Sequence, residues 1–549
     1  MGKISLEQHQ ELTLGIDFGT TNCVVSVYLD NEPQVIPIDG SNVFPTAIMF
    51  EPDSEEENKL SRVFGIQAKE AAAIYPESTV LSIKRRLGTG QKINVLVDDI
   101  THSFTPEEIA AEILAYLRDK AHEYMEEELA VSCEFTGCVI TVPANSTDKQ
   151  RKMTKNAAVL AGFDINKTFL RLEPAAAAVT YALGEHTVKN LLVYDFGGGT
   201  FDACVINIDA SAGAEPTISI LSTYGDNDLG GNDIDKFIMD IIYEEFKRQT
   251  NGEVDLFAND ELQHIYRQKK VAIARLEQVS RQAKERLSSS KSTKITLAPF
   301  LQEPRIVNIN MEITRETFEN HRRINQLGDD LKDFERYKGK NLHDILNTTL
   351  KCIDNCIAAA GMPQIDEIFL VGGSSSITLV NQIIQEKFGK EPYRSKISPA
   401  LSISLGAATY ANLIMSPTAI GPKVKEKTLH HLGLEVAGRK FFEIVGAGIE
   451  IPGTGLTIES TEEFTTNFDN ITSMAIVVYE DTSPTSDKSI NRHGMKRLAG
   501  TTLKGIPKAL KGEEKVRVIF TVGQDNMLKV RAVSASQGIE TELLVDELY

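Results

Sequence analysis

The chain has no tryptophan, only six cysteines among 549 residues, and much less positive than negative charge. Lysine and arginine number 58 against 77 aspartates and glutamates, a formal net charge of −19. A surface of that sign repels phosphodiester backbones and anionic lipid, so no nucleic-acid or membrane binding is expected from bulk electrostatics. The cysteines (23, 133, 138, 204, 352 and 356) are scattered, mostly inside apolar runs, with no Cys-x-x-Cys pair and no histidine cluster to join them. Buried thiols are therefore expected rather than zinc ligands or disulfides, which points to a reducing compartment. No apolar stretch approaches the length that spans a bilayer. The segment Met1-Gly-Lys-Ile-Ser5-Leu6 lacks a secretory apolar core and the hydroxyl residue that myristoylation requires at position 6, so the cytoplasm is the expected location.

What is present is an ordinary globular composition, 42% apolar and 25% charged, in a chain long enough for about three or four domain-sized units. One stretch stands out: Asn190-Leu-Leu-Val-Tyr-Asp195-Phe-Gly-Gly-Gly-Thr200-Phe-Asp202-Ala-Cys-Val-Ile-Asn-Ile208. It reads as a β-hairpin whose tip, Gly197, Gly198 and Gly199, carries no side chains. Bare amides in a tight turn can approach phosphate oxygens. Carboxylates at the same mouth cannot face phosphate directly, so they imply an intervening cation, most simply hydrated Mg²⁺. A lone triple-glycine turn would be an ordinary turn. A second copy changes that balance: Leu14-Gly-Ile-Asp17-Phe-Gly19-Thr20-Thr21-Asn-Cys-Val-Val-Ser-Val-Tyr28 again runs from apolar strand through Asp-Phe-Gly into a valine-rich strand. A third glycine turn, Glu367-Ile-Phe-Leu-Val-Gly372-Gly373-Ser374, suits the sugar or base end of a nucleotide held between two lobes.

These three motifs resemble the two phosphate motifs and the adenosine motif of the DnaK-type (seventy-kilodalton heat-shock) chaperones. Val139-Ile-Thr-Val-Pro143-Ala, Leu172-Glu173-Pro174-Ala and Lys84-Arg85-Arg-Leu-Gly88 add to the resemblance, which extends from about Leu14 to about Val545. It implies an α/β, two-lobed, actin/ribonuclease-H-like nucleotide-binding domain over 1–415. A linker follows over 416–429, and an antiparallel β-sandwich peptide-binding domain over 430–549. It implies ATP/ADP, Mg²⁺ and a monovalent cation such as K⁺ as cofactors. Asp17 and Asp195 would hold hydrated Mg²⁺ and Asp202 would help with the monovalent ion. Gly19, Thr20, Thr21, Gly197, Gly198, Gly199 and Thr200 would hold phosphates, and Lys84, Glu173, Asp195 and Thr200 would serve hydrolysis. Lys284, Ser288, Gly372, Gly373 and Ser374 would hold the nucleoside. Pro143 and Arg151 match an interlobe relay, although an arginine on a helix face is equally a solvated residue. The implied partners are unfolded or extended polypeptide, a J-domain co-chaperone and a nucleotide exchange factor.

Several positions depart from the family. Arg281 stands where it has glutamate, Glu285 and Ser376 where it has the arginines that sandwich adenine, Ala400 where it has aspartate, and Phe169 where it has the arginine that receives the J-domain. Two arginine stacks at about 0.5–2 kcal/mol each are thereby lost, which predicts weaker nucleotide binding unless Arg281 substitutes. The segment Lys423 to Lys427 is basic, unlike the acidic, leucine-containing family linker. No helical lid follows the sandwich before Tyr549, so fast peptide exchange is expected. Leu434, Ala437, Phe464, Met474 and Ile476 map to the peptide groove but are equally read as sandwich core. Alongside an ATP-hydrolysing chaperone stand two other readings. One is a nucleotide-bound co-chaperone or scaffold that does not cycle, as in ribosome-associated members; the other is a sugar-kinase-like enzyme, which would leave the sandwich without a role.

Overall fold

The computed structural model describes residues 10–544, apart from 55, 57–58, 184–188, 211–214, 259–261, 394–396, 417–418, 420, 426, 429, 453–454, 482–484, 493, 524–526 and 537. Two sheets with the same pattern form the N-terminal part. In the first lobe, Gln10–Phe18 pairs antiparallel with Asn22–Leu29 and parallel with Cys133–Val142. In the second, Lys189–Phe196 pairs antiparallel with Phe201–Asp209 and parallel with Glu367–Val371. Each hairpin is thus anchored by a later parallel strand at the same side, so both tips emerge at equivalent sheet ends.

The central strands of the second sheet are buried on both faces, which is why they read as unbroken apolar runs. Leu191 and Val193 point into a core shared with the helices Pro106–Glu127, Glu173–Ala182 and Ser402–Met415. Leu192, Tyr194 and Phe196 point into a second core under the helices Gly231–Thr250, Gln263–Leu287 and Leu342–Ala359. The helix starts follow their caps: Thr105 and Thr147 each accept from the amide three residues on, closing capping boxes with Glu108 and Gln150. A helix spans Gly65–Ala71 and gives way to turns before Pro76. Three helices follow, Arg315–Asn320, Leu331–Tyr337 and Leu342–Ala359. Between the first two, Asp240 of the neighbouring helix captures the chain by accepting from the amides of Ile324 (2.8 Å) and Asn325 (3.0 Å).

The C-terminal part is an antiparallel sandwich. One sheet runs Lys440–Val445, His431–Val436, Ser473–Asp481, Met495–Lys504; the other runs Leu456–Glu459, Lys515–Val522, Leu528–Ser534, Glu540–Leu544, with Phe464–Thr465 also on Lys515–Val522. Alternating residues such as Val516, Val518 and Phe520 fill its core. Within 416–429, Lys423–Lys425 is a strand that extends the second lobe's sheet, parallel to Thr217–Ser219. Five of the six cysteines are buried, and none forms a disulfide among the described residues. Among the same residues no helix is long and apolar enough to cross a membrane.

Candidate active site

The two glycine hairpins meet tip to tip. A Cβ placed on Gly198 would lie 2.0 Å from Thr21 Oγ1, and only the missing side chain lets the lobes close this far. Behind the second tip, the carbonyl of Gly197 accepts from Gly231 N (3.0 Å) and Ser374 Oγ (2.8 Å), and that of Gly198 accepts from Asn232 N (2.9 Å). The loop is therefore held by its oxygens from the second lobe. The amides of Gly198 and Gly199 have no protein acceptor among the described residues, which is the arrangement that grips an anion.

Between the tips lies a cavity of about 320 Å³. It gathers Asp17, Gly19, Thr20 and Thr21 from the first hairpin, Lys84 from a short 3₁₀ turn, and Glu173 from a helix start. From the second hairpin come Asp195, Gly197, Gly198, Gly199 and Thr200; at its far end stand Lys284, Ser288, Gly372, Gly373 and Ser374. The departures Arg281, Glu285, Ser376 and Ala400 line the same far end. Lys284 is engaged within its own lobe, donating to Gly231 O (2.8 Å) and pairing with Asp235 (2.8 Å).

Charge is concentrated at the near end. Lys84 Nζ donates to Glu173 Oε1 at 2.5 Å, and both side chains are nearly buried. Asp202 lies outside the cavity wall but directly opposite Asp195 in the hairpin register, where Asn145 Nδ2 donates to it at 2.7 Å. Thr141 donates to Asp17 at 3.2 Å. Burial, then the charge of Glu173, pushes Asp17 up to about 7 against the opposing pull of Lys84. Burial, with Glu173, likewise raises Asp202 to about 7, and Asp195 is raised well above the usual carboxylate range by burial, Glu173 and Asp202. Burial alone would lower Lys84; Glu173 and Asp17 outweigh it and raise the ammonium. Four carboxylates thus face one lysine, and one oxygen each of Asp195 and Asp202 is buried without a partner among the described residues. This donor set fits a cation. No three carboxylate, imidazole or thiol groups among the described residues converge as direct ligands, so it fits a hydrated ion bound through its waters.

The remaining expected residues are elsewhere. Pro143 lines an adjoining chamber, and Arg151 is buried on the helix Asp148–Leu160 rather than solvated. Leu434 and Ile476 are core members of the sandwich, Phe464 and Met474 pack against that core, and Ala437 stands in an exposed turn. Phe169 pairs with Val139 inside the first sheet. Sequence reasoning missed Asn145, Arg85 and Asn232. Arg85 Nη2 donates to Gly199 O and Asp233 Oδ2, both at 2.7 Å, and Asn232 Nδ2 donates to Ser82 Oγ at 3.1 Å. Each bond joins segments distant in the chain, so only the cluster Lys84-Arg85-Arg86 gave any local signal.

The family model described as Hsp70 protein matches residues 13–548. The chaperone protein DnaK of Thermotoga petrophila is 32% identical over 98% of this chain and 81% of its own length. DnaK of Thermosipho africanus is 32% identical over 98% of this chain and 80% of its own length. The similarity runs through both lobes and the sandwich, and the chain belongs to the Hsp70 family.

Proposed function

We propose that this protein is an ATP-dependent molecular chaperone: it binds and slowly hydrolyses ATP between the two lobes and holds extended apolar polypeptide on the sandwich. The observation that carries this is the apposition of two glycine tips around Asp17, Glu173, Asp195 and Lys84, with Asp202 opposite Asp195 in the hairpin register. In that reading Gly19, Thr20, Thr21 and the second tip hold the phosphates. Asp17 and Asp195 hold the waters of Mg²⁺, and Asp202 supports a monovalent cation such as K⁺. Mg²⁺ supplies neutralisation of the developing phosphate charge. Lys84, Glu173 and Thr200 place the attacking water, so rate comes from positioning and electrostatics. Gly372, Gly373, Ser374 and Ser288 hold the nucleoside. Pro143 and Arg151 relay nucleotide state toward the sandwich over 430–549, with 416–429 as the tether from the unit over 1–415. Leu434, Ala437, Phe464, Met474 and Ile476 form or border the peptide groove. Unfolded polypeptide, an exchange factor and a J-domain co-chaperone are the partners, in the cytoplasm; Phe169 makes the J-domain contact the weakest of these.

The basic segment Lys423 to Lys427 and Phe169 favour a second reading, a nucleotide-bound scaffold that does not turn over. Single-turnover hydrolysis of ATP by the protein and by Lys84→Ala separates them. The chaperone reading expects hydrolysis that falls by about 10²-fold or more in the variant, the usual cost of removing one preorganised electrostatic partner. Bound ATP that stays intact in both proteins leaves the scaffold.

A further inference from the structure

The catalytic lysine is a partition between two cavities. Thr20, Lys84 and Thr200 line the nucleotide pocket and also a second chamber of about 270 Å³ on their other side. This chamber runs past Arg85 and Pro143 and opens beside Asp228, an exposed residue. Its inner wall is cationic, with Lys84 and Arg85, and its outer wall carries the carboxylates of Asp228 and Asp333. Arg85 belongs to the first lobe and Asp233 to the second, so their 2.7 Å ion pair crosses the cleft at the chamber's side. Arg85 Nε is buried and has no partner among the described residues. It lies beside the phosphate tip, 3.0 Å from where a Cβ on Gly199 would sit.

We propose that this second chamber is the exit passage for the orthophosphate released from ATP, with the Arg85–Asp233 pair as its gate. The proposal rests on the ATPase reading above. On that reading the cleaved phosphate is freed at Thr20, Lys84 and Thr200, while ADP still fills the pocket toward Ser288 and Gly373. The nucleotide side is therefore blocked, and the chamber begins where the anion is produced. The unpaired Arg85 N–H gives a dianion its first contact on leaving Lys84. The carboxylates farther out keep the anion from lodging there, which suits passage rather than storage. No bond is made or broken in the chamber. Opening requires only that Arg85 exchange Asp233 for phosphate, or that the lobes part slightly.

The test follows a single turnover of the full chain in two ways: acid quench for hydrolysis, and a fluorescent orthophosphate-binding protein for release. Asp228→Trp narrows the mouth at an exposed position remote from the pocket. It should hydrolyse at the parental rate yet release phosphate about fivefold or more slowly, a factor that about 1 kcal/mol of added barrier produces. Arg85→Ala should raise the ratio of release rate to hydrolysis rate by a similar factor, whatever it does to hydrolysis itself. Crystals grown with ADP and orthophosphate should place the anion against Arg85 Nε. Release that keeps the parental ratio to hydrolysis in both variants overturns the proposal and leaves the ATPase reading standing; a parent that cleaves no ATP overturns both.

Discussion

Gly230 touches no part of the cavity, yet its replacement should disable the site. A Cβ at this position would lie 2.6 Å from the carbon and oxygen of Gly198 and from the carbon of Gly199. Those are main-chain atoms, so no side-chain rotation relieves the overlap. Ordinary carbon contacts begin near 3.5 Å, which sets the displacement forced by Gly230→Ala at roughly 0.8–0.9 Å. The tip cannot simply retreat, because Gly197 O and Gly198 O are bonded to Gly231 N and Asn232 N immediately beside the substitution. It must shift toward Thr20 and Thr21 or break those bonds. Misplacement of reacting groups by about 1 Å costs about 10²-fold in rate, or about 2.7 kcal/mol of barrier. The assay is single-turnover ATP hydrolysis, with thermal unfolding of the same samples as a control for folding. We expect a loss of about 10²-fold in the rate and a fall of only a few degrees in the melting temperature. A variant that hydrolyses within about twofold of the parent would refute the idea that the tip's position is set from behind by the Gly230–Asn232 segment.

The remaining outcomes concern titration, a buried acceptor and the sandwich. Asp17 and Asp202, raised to about 7 chiefly by burial, bind more protons folded than unfolded between about pH 4 and 7. The metal-free protein should therefore lose stability as pH rises through that window, by at most about 4 kcal/mol per group. Melting at pH 5 and 7.5 should show this fall, smaller in Asp17→Asn and smaller again with Mg²⁺ and ATP; an equal fall in all three samples contradicts it. Asp240→Ala strips the amides of Ile324 and Asn325 and the side chains of His321 and Asn325 of a buried acceptor. Denaturant unfolding should show a loss of about 3–5 kcal/mol, and a loss under about 1 kcal/mol would contradict the account of how 321–330 is held. In the sandwich, Ile476→Ala opens a cavity at a position only 4% exposed and should cost about 2–4 kcal/mol. Met474→Ala should cost less and instead quicken dissociation of a fluorescent apolar peptide; an unchanged off-rate removes Met474 from the groove.

The sequence showed the site most clearly where one short segment builds a whole part of it. The hairpin Lys189–Asp209 contains its strands, its bare turn and its carboxylates within about twenty residues, so periodicity and glycine placement suffice to read it. The same holds for the first hairpin and for the capped helices after Thr105 and Thr147. What escaped was assembled from distance. Asn145 reaches Asp202, Arg85 reaches Asp233, and Asp240 organises 321–330; nothing near any one of them announces its partner. The hairpin Ser292–Leu301 with Val307–Thr314 was also missed, although its apolar residues alternate and turn one face to the second core. The sandwich was legible as a class from short alternating runs. Alternation, however, does not distinguish an inward residue that fills a core from one that borders a groove, and Leu434 and Ile476 fall on the core side.

The strand Lys423–Lys425 has one more consequence. It is joined to Thr217–Ser219 through main-chain groups, with Val424 alone tucked partly inward and Lys423 ion-paired to Glu215 at its flank. Peptide groups pair alike whatever side chains they carry, so a lysine-rich segment can clip onto this edge as well as an acidic, leucine-bearing one. The composition of the tether is then free to drift while its attachment persists, and its outward charges become a dial for how readily it peels away.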